Sequence, residues 1–425
     1  MSHVPMSRPE EMLACHDPFP LTRGACIALK SGRVVCGSGS GCRIAYSDDG
    51  GMTWCDPYEG AFADGTRPSI QNLVELSDGS IGGVELRSRA GAPTPIHETE
   101  ALFTVSEDLG KTWSEPRQMS DMRLRAGAFC NALMRTSSGR IILPIQSGIG
   151  RDRWHRPGEP FFGGYVDGEF TTTDAHYYDP HFGACYVLYS DDEGRTWQPN
   201  RDGELFILLE PEGHMVGNWE PSVVETAPNR LLMFLRSKLG RVFQSWSADN
   251  GETWCYPQPT HLAASNSPNI LTRLPQTGHV LAVWNQQSEQ EIQEGYVRTR
   301  LSAAVSRNGG GIWEFFQNVE SIHEQTHVEP GPIRITRPQA NYAVHPGLPA
   351  LVNDASRVVP LDLKYGRWTN HVVRALEDRV LILYGGRCKI LPLGWFYGGR
   401  DPHAEGALLN KIETQCPPLF ESRTR

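Results

Sequence analysis

Short apolar runs alternate with polar turns along nearly the whole chain. ACIAL at 25–29 and VVC at 34–36 flank the turn KSGR, and LVEL at 73–76 and IGGVEL at 81–86 flank SDGS. The same figure recurs around Gly139 (SSGRII), Asn229 (APNRLL), Gly278 (QTGHVL) and Asp378 (LEDRVL). A Gly, Asn or Asp at the tip between two β-rich runs marks a tight hairpin, because these residues tolerate the positive φ that such turns need. Helical spacing is weak throughout, so the pattern predicts an all-β chain built on six hairpins.

A second series lies between the hairpins. SDDGGMTW (47–54), SEDLGKTW (106–113), SDDEGRTW (190–197) and SADNGETW (247–254) share the form Ser-x-Asp-x-Gly-x-Thr-Trp, and SRNGGGIW (306–313) is a weaker fifth copy. In such a unit the Asp accepts backbone N–H bonds within the turn, Gly supplies the positive φ, and Trp offers a large apolar plate to neighbouring strands. Six hairpins, five of them followed by this turn, imply six four-stranded units around one axis, a six-bladed β-propeller. The blades are expected at about 18–60, 64–118, 123–200, 216–260, 264–318 and 338–398, with an N-terminal arm at 1–17 and a C-terminal tail at 399–425. Two gaps are too long for hairpins: 148–183 in the third blade and 320–368 before the last. Long loops on a compact scaffold are usually functional or disordered, and here they would wall the axial cleft.

Composition narrows the functional classes. The chain has 425 residues, 39% apolar, with a net charge of −9 and a pI near 5.9. Without a basic run it offers no surface for nucleic acid, whose phosphates need a local Lys/Arg excess. No window reaches the length of a membrane span, and MSHVPMSRPEEMLACHDPFP lacks the basic start and apolar stretch of a signal peptide. The expectation is a soluble cytoplasmic protein, or a secreted one whose leader has been removed. Ten cysteines occur without a C-x-x-C pair or zinc-type spacing, which predicts buried free thiols and assigns no metal ligand, while the presence of a structural metal stays open.

The Ser-x-Asp-x-Gly-x-Thr-Trp units resemble the Asp boxes, or bacterial neuraminidase repeats, of the sialidase superfamily, and the resemblance covers roughly 18–398. It implies an all-β six-bladed propeller with Asp-box turns on its outer rim. It also implies an exo-glycosidase that releases a terminal acidic sugar of the nonulosonic (sialic) type without a cofactor. Three arginines from different blades hold the sugar's carboxylate in that family, a task suited to a planar fork that pairs bidentately and stays charged. GNWEPSVVETAPNRLLMFLR is similar to the stretch that places the family's Glu and second Arg, nominating Glu220 and Arg236. YVRTRLSAAVSRNGG nominates Arg298, with Arg300 as understudy, and PLTRGACIAL nominates Arg23. Arg67 in TRPSIQN, and Glu85 and Arg87 in GGVELRSR, stand at strand ends that would face the cleft.

The pattern departs from the family at the chemical groups. The tyrosine nucleophile, one of the exceptions to the paired-carboxylate rule, stands about eight residues before the turn of the sixth hairpin. Here that position is Asn370, followed by His371. The nearest tyrosines are Tyr342 and Tyr365, and the first-blade loop GSGSG is too short for the family's acidic residue. Glu220 and His371 are therefore the candidate acid/base groups, activating water directly, and Asn370 is a candidate sugar contact. His155, His176, His181 and His214, with Tyr177, Tyr178 and Asp179, lie in or near the long loops as further candidates, since imidazole titrates near neutrality. Two other readings stay open: a glycan-binding propeller without catalysis, and a lyase on a uronic acid. The expected partner is an acidic carbohydrate, and the sequence leaves the oligomeric state open.

Overall fold

A computed structural model of the chain describes residues 11–21, 24–38, 42–88, 99–120, 125–128, 130–149, 163–166, 169–172, 182–209, 211, 213, 215–294, 296, 298–336 and 368–403. Each of the six hairpins read from the sequence joins the two innermost strands of a blade, and six antiparallel sheets follow one another around an axis. The first blade is Gly24–Ala28, Val34–Ser38, Arg43–Ser47 and Tyr58–Glu59. The second is Ile70–Glu75, Ile81–Ser88, Thr99–Ser106 and Arg117–Gln118. In the third the inner strand is split into Arg125–Gly127 and Met134–Arg135, followed by Ile141–Ile149, Phe182–Ser190 and Gln198–Pro199. The fourth is Trp219–Ala227, Arg230–Arg236, Arg241–Ser247 and Gln258–Ala263. The fifth is Asn269–Arg273, Val280–Asn285, Arg300–Ser306 and Glu314–Ser321.

The sixth blade corrects the expected boundary. Val372–Ala375, Arg379–Tyr384 and Arg387–Pro392 supply three strands, and the outermost is Ala14–His16, paired antiparallel with Cys388–Ile390. The propeller thus begins before residue 18, within the segment expected to be an arm. Three residues, ACH, are too few to show a period of two, so pairing across the chain decides their state rather than local pattern.

The core is divided into six slabs between successive blades. Ile44, Leu73, Ile81 and Trp113 fill the space between blades one and two, and Ile142, Val187, Val223 and Leu231 that between three and four. In the first box Gly51 N donates to Ser47 Oγ at 2.7 Å, Thr53 N to Asp49 Oδ1 at 2.8 Å, and Trp54 Nε1 to Gly51 O at 2.9 Å. Those bonds hold the Asp49 carboxyl down at about 2, chiefly through the Thr53 N–H and hydroxyl. The turn fixes the indole so that it packs on the preceding blade: Trp197 meets Phe103 at a ring-centroid distance of 5.3 Å, and Trp254 meets Phe206 at 5.8 Å. The sixth blade has no box. Its slab against the fifth is closed by the short 3-10 helix Leu393–Tyr397, whose Phe396 and Tyr397 are buried there.

The inner edge of each blade leaves backbone groups without a strand partner, and buried polar groups require one. Side chains from neighbouring blades supply it. Asn131 Oδ1 accepts from Leu73 N at 2.7 Å, Leu271 N donates to Ser222 Oγ at 3.0 Å, and Arg374 donates twice to Cys26 O, at 3.0 and 2.7 Å. No helix among the described residues is long and apolar enough to cross a membrane.

Candidate functional site

All six inner strands start on the same face of the ring, and on that face second strands end and third strands begin. Glu220 opens the fourth blade's first strand, Arg236 ends its second, and Arg298 precedes the fifth blade's third strand. The structure brings these three together. Arg236 Nη1 donates to Glu220 Oε2 at 2.5 Å, and Arg236 Nε donates to Asn266 Oδ1 at 2.8 Å. Arg298 Nη2 donates to the backbone carbonyl of the same Asn266 at 3.3 Å. The Glu220 and Arg236 side chains are 13% and 7% exposed, so their charges meet where water screens them weakly.

Local backbone geometry aims these groups. Glu220 has φ of +42°, inside a register shift between Trp219 and Ser222, and Arg298 has φ of +54°. Such conformations cost roughly 1–3 kcal/mol for a residue with a Cβ and persist only where the surroundings impose them. A bulge re-aims the side chain it carries. Gln146 of the third blade does part of the imposing, its Oε1 accepting from Glu220 N at 2.8 Å. Cys130, at φ of +59° in the break of the third blade's inner strand, lies within electrostatic reach of Glu220, Arg236 and Arg298. Burial pushes its thiol well up, with Glu220 adding to the effect, so the sulfur stays protonated and is no thiolate nucleophile.

The other expected residues are placed differently. His371 is wholly buried, and its Nε2 donates to Val283 O at 2.7 Å. Its Nδ1 is buried without a partner, and burial holds the imidazole down at about 4, so the ring is neutral at ordinary pH. The expectation that His371 reaches a water in the cleft is corrected: its ring is turned into the slab between blades five and six. Asn370, at φ of +51°, lines a small cavity between blades one and six with Gly24, Gly37 and Tyr384, apart from the Glu220 cluster. Arg67 is an exposed residue paired with Glu59 at 2.6 Å, and Arg87 is paired with the buried Glu85 at 2.7 Å. Both stand on the second blade on the same face as Glu220. Arg300 is fully buried against Glu291 at 2.7 Å, which makes it structural. Arg23, Tyr342, Tyr365, His155, His176, His181, His214, Tyr177, Tyr178 and Asp179 lie outside the described residues. Among the described residues no three His, Cys, Asp or Glu side chains come together as metal ligands.

Sequence reasoning missed Asn266, Gln146 and Cys130. A weak signal existed: AASNSPN at 263–269 and the Gln in IILPIQSG are polar interruptions at strand ends in otherwise apolar runs. Another tyrosine is buried near the cleft face, Tyr384, whose hydroxyl donates to Glu320 Oε1 at 2.5 Å while Lys389 Nζ donates to the same oxygen at 2.9 Å. Burial, with the Glu320 charge adding, raises this phenol well above its ordinary range, the opposite of what a nucleophile needs.

A ring of six antiparallel blades, with a carboxylate and two arginines lying where the inner strands begin, defines a six-bladed β-propeller. Residues 91–342, more than half of the chain, match the family described as a BNR repeat-like domain, and the chain belongs to that family. Among solved structures it is similar to the Hadza microbial sialidase Hz136, at 15% identity over 91% of this chain and 67% of that one, with a TM-score of 0.54. It is also similar to a protein of unknown function from Dyadobacter fermentans DSM 18053, at 16% identity over 90% and 98% of the two chains, with a TM-score of 0.51. At such identities the likeness is one of fold.

Proposed function

We propose that the protein is an exo-acting glycosidase for a terminal acidic sugar of the nonulosonic type. The observation that carries the reading is the Glu220, Arg236, Asn266 and Arg298 cluster. The guanidinium groups of Arg236 and Arg298 are both tied to Asn266 beside the Glu220 carboxylate, a setting that suits recognition of a sugar carboxylate. Glu220 occupies Nη1 of Arg236 and Asn266 occupies Nε, while Nη2 has no hydrogen bond among the described residues and is open to a ligand oxygen. With Asn370 at the tyrosine position and His371 turned away, a water is the attacking group. Glu220 takes its proton as the oxygen bonds to the anomeric carbon, the bond to the leaving group breaks, and the departing oxygen takes a proton from a solvent water, leaving hydroxide that the proton on Glu220 later neutralises. One displacement inverts the anomeric centre.

A second reading is a glycan-binding propeller that keeps the arginines without turnover. It is favoured by the absence of any described histidine or tyrosine free to act beside Glu220. The lyase reading has less support, since removing an α-proton needs an accessible base such as the imidazole of His371. NMR of a digest of acidic glycosides, followed from mixing with wild type and Glu220→Gln, tests the choice. The proposal expects first-formed sugar of inverted configuration, lost in Glu220→Gln while binding persists. An unsaturated product, or binding without turnover by wild type, would sink it.

A further inference from the structure

The fifth Asp box differs from the others, and a cavity lies beside it. In the four regular boxes the indole Nε1 donates to the carbonyl of the box's Gly, at 2.9 to 3.2 Å. In the fifth, Asn308 and Ile312 replace the Asp and Thr, and Trp313 Nε1 is buried without a hydrogen-bond partner. Between this box and the two outer strands of the fourth blade is a cavity of about 390 Å³, inside the range of about 300–1,000 Å³ usual for small-ligand clefts. Residues 322–336 run back from the fifth blade over the fourth, tied down by Val328 N to Gln286 Oε1 at 2.8 Å and Thr336 N to Lys238 O at 3.3 Å. They bring His327 to the cavity wall, where it stacks on Phe316 with ring centroids 3.9 Å apart and planes 19° from parallel.

The lining chemistry selects the occupant. Trp246, Trp313, Phe316 and His327 give flat apolar walls, while Gln244, Gln258 and His261 give both donors and acceptors. Among the described residues no Asp, Glu, Lys or Arg lines the cavity, so an ion would find no counter-charge there. A wholly apolar ligand would cover these amides without bonding them, and Gln244 Oε1 is already buried without a partner. An uncharged ring with C–H faces and hydroxyls at its edges meets both requirements. We propose that this rim cavity binds one neutral pyranose ring, as a glycan contact separate from the Glu220 cluster. With no paired carboxylates among the described lining residues, it holds sugar without cleaving it. The inference stands on the cavity alone and does not depend on the proposed glycosidase activity.

The test uses the full chain, with methyl β-galactoside, methyl α-glucoside and N-acetylglucosamine as probes, read by saturation-transfer NMR and tryptophan fluorescence. At least one should bind with a dissociation constant of about 10 mM or tighter. Phe316→Ala and the exposed-site variant Gln258→Ala should each weaken it roughly fivefold or more, Gln258→Ala without changing thermal stability. Binding of an acidic sugar should be untouched in Gln258→Ala. No binding by any of the three, binding unaltered by Gln258→Ala, or an apolar probe such as indole taking the cavity where sugars do not, would overturn the proposal.

Discussion

Arg236 Nε donates to Asn266 Oδ1 at 2.8 Å, so a guanidinium carried by the fourth blade is oriented by a residue at the start of the fifth. The backbone carbonyl of Asn266 holds Arg298 at the same time. Asn266→Ala removes the first contact and spares the second. A hydrogen bond to a charged group is worth about 1.5–3 kcal/mol. Titration calorimetry with N-acetylneuraminic acid should therefore show affinity lower by roughly tenfold or more. Unchanged affinity would mean that Arg236 does not meet the ligand.

Lysine in place of either arginine keeps the charge and loses the fork. Arg236→Lys and Arg298→Lys should each lower kcat/KM or affinity for an acidic glycoside by roughly 10- to 100-fold, with little change for neutral sugars. Steady-state kinetics, or titration where turnover is absent, decides it. Equal losses on acidic and neutral ligands would point to a damaged fold rather than a lost carboxylate contact.

His371 links stability to pH. Its ordinary pKa is about 6.5, and burial holds it at about 4 in the fold. The unfolded chain therefore takes up this proton first as pH falls. The contribution is complete above about 6.5, declines between about 6.5 and 4, and is gone below, amounting to roughly 3 kcal/mol. His371→Gln keeps a donor for Val283 O and cannot titrate. Urea midpoints at pH 7.5 and pH 5 should fall further for wild type than for the variant, and parallel losses would contradict a buried neutral imidazole. The activity profile should not carry a limb due to His371.

Gly194 shows what the box glycines do. It has φ of +78°, and a Cβ there would stand 2.1 Å from Phe103 Cε1. Gly194→Ala combines strain with overpacking and should cost about 2–4 kcal/mol. Thermal or urea unfolding checks this. By contrast Gly32, at φ of +88° with open space around it, should lose only the conformational part, about 1 kcal/mol.

Legibility followed the range of the interactions. The hairpin tips and boxes are local, each set by a few contiguous residues whose turn chemistry shows in their identities, and they carry the blade count. Glu220, Arg236 and Arg298 are nominated because a resemblance assigns them to strand ends, and the fold brings those ends together. Asn266 and Gln146 act across blade boundaries, and nothing in their own segments says which neighbour they meet. His371 differs from expectation for a related reason: what turns its ring inward is a carbonyl of the neighbouring blade, Val283 O, which its own segment does not reveal. The Ala14–His16 strand was missed because its partner lies at the far end of the chain.

That last pairing bears on the order in which the molecule can be made. Blades one to five each draw their strands from one continuous stretch and can assemble as they leave the ribosome. The sixth cannot, because its outer strand is synthesised early and its other three last. Until Arg387–Pro392 has emerged, Ala14–His16 has no partner, and the slab between blades six and one, with Cys26, Val34, Leu381 and Ile390, has only one wall. A nascent or truncated chain thus carries an open apolar seam, which makes that junction the place where chaperones would bind and where interrupted synthesis would aggregate.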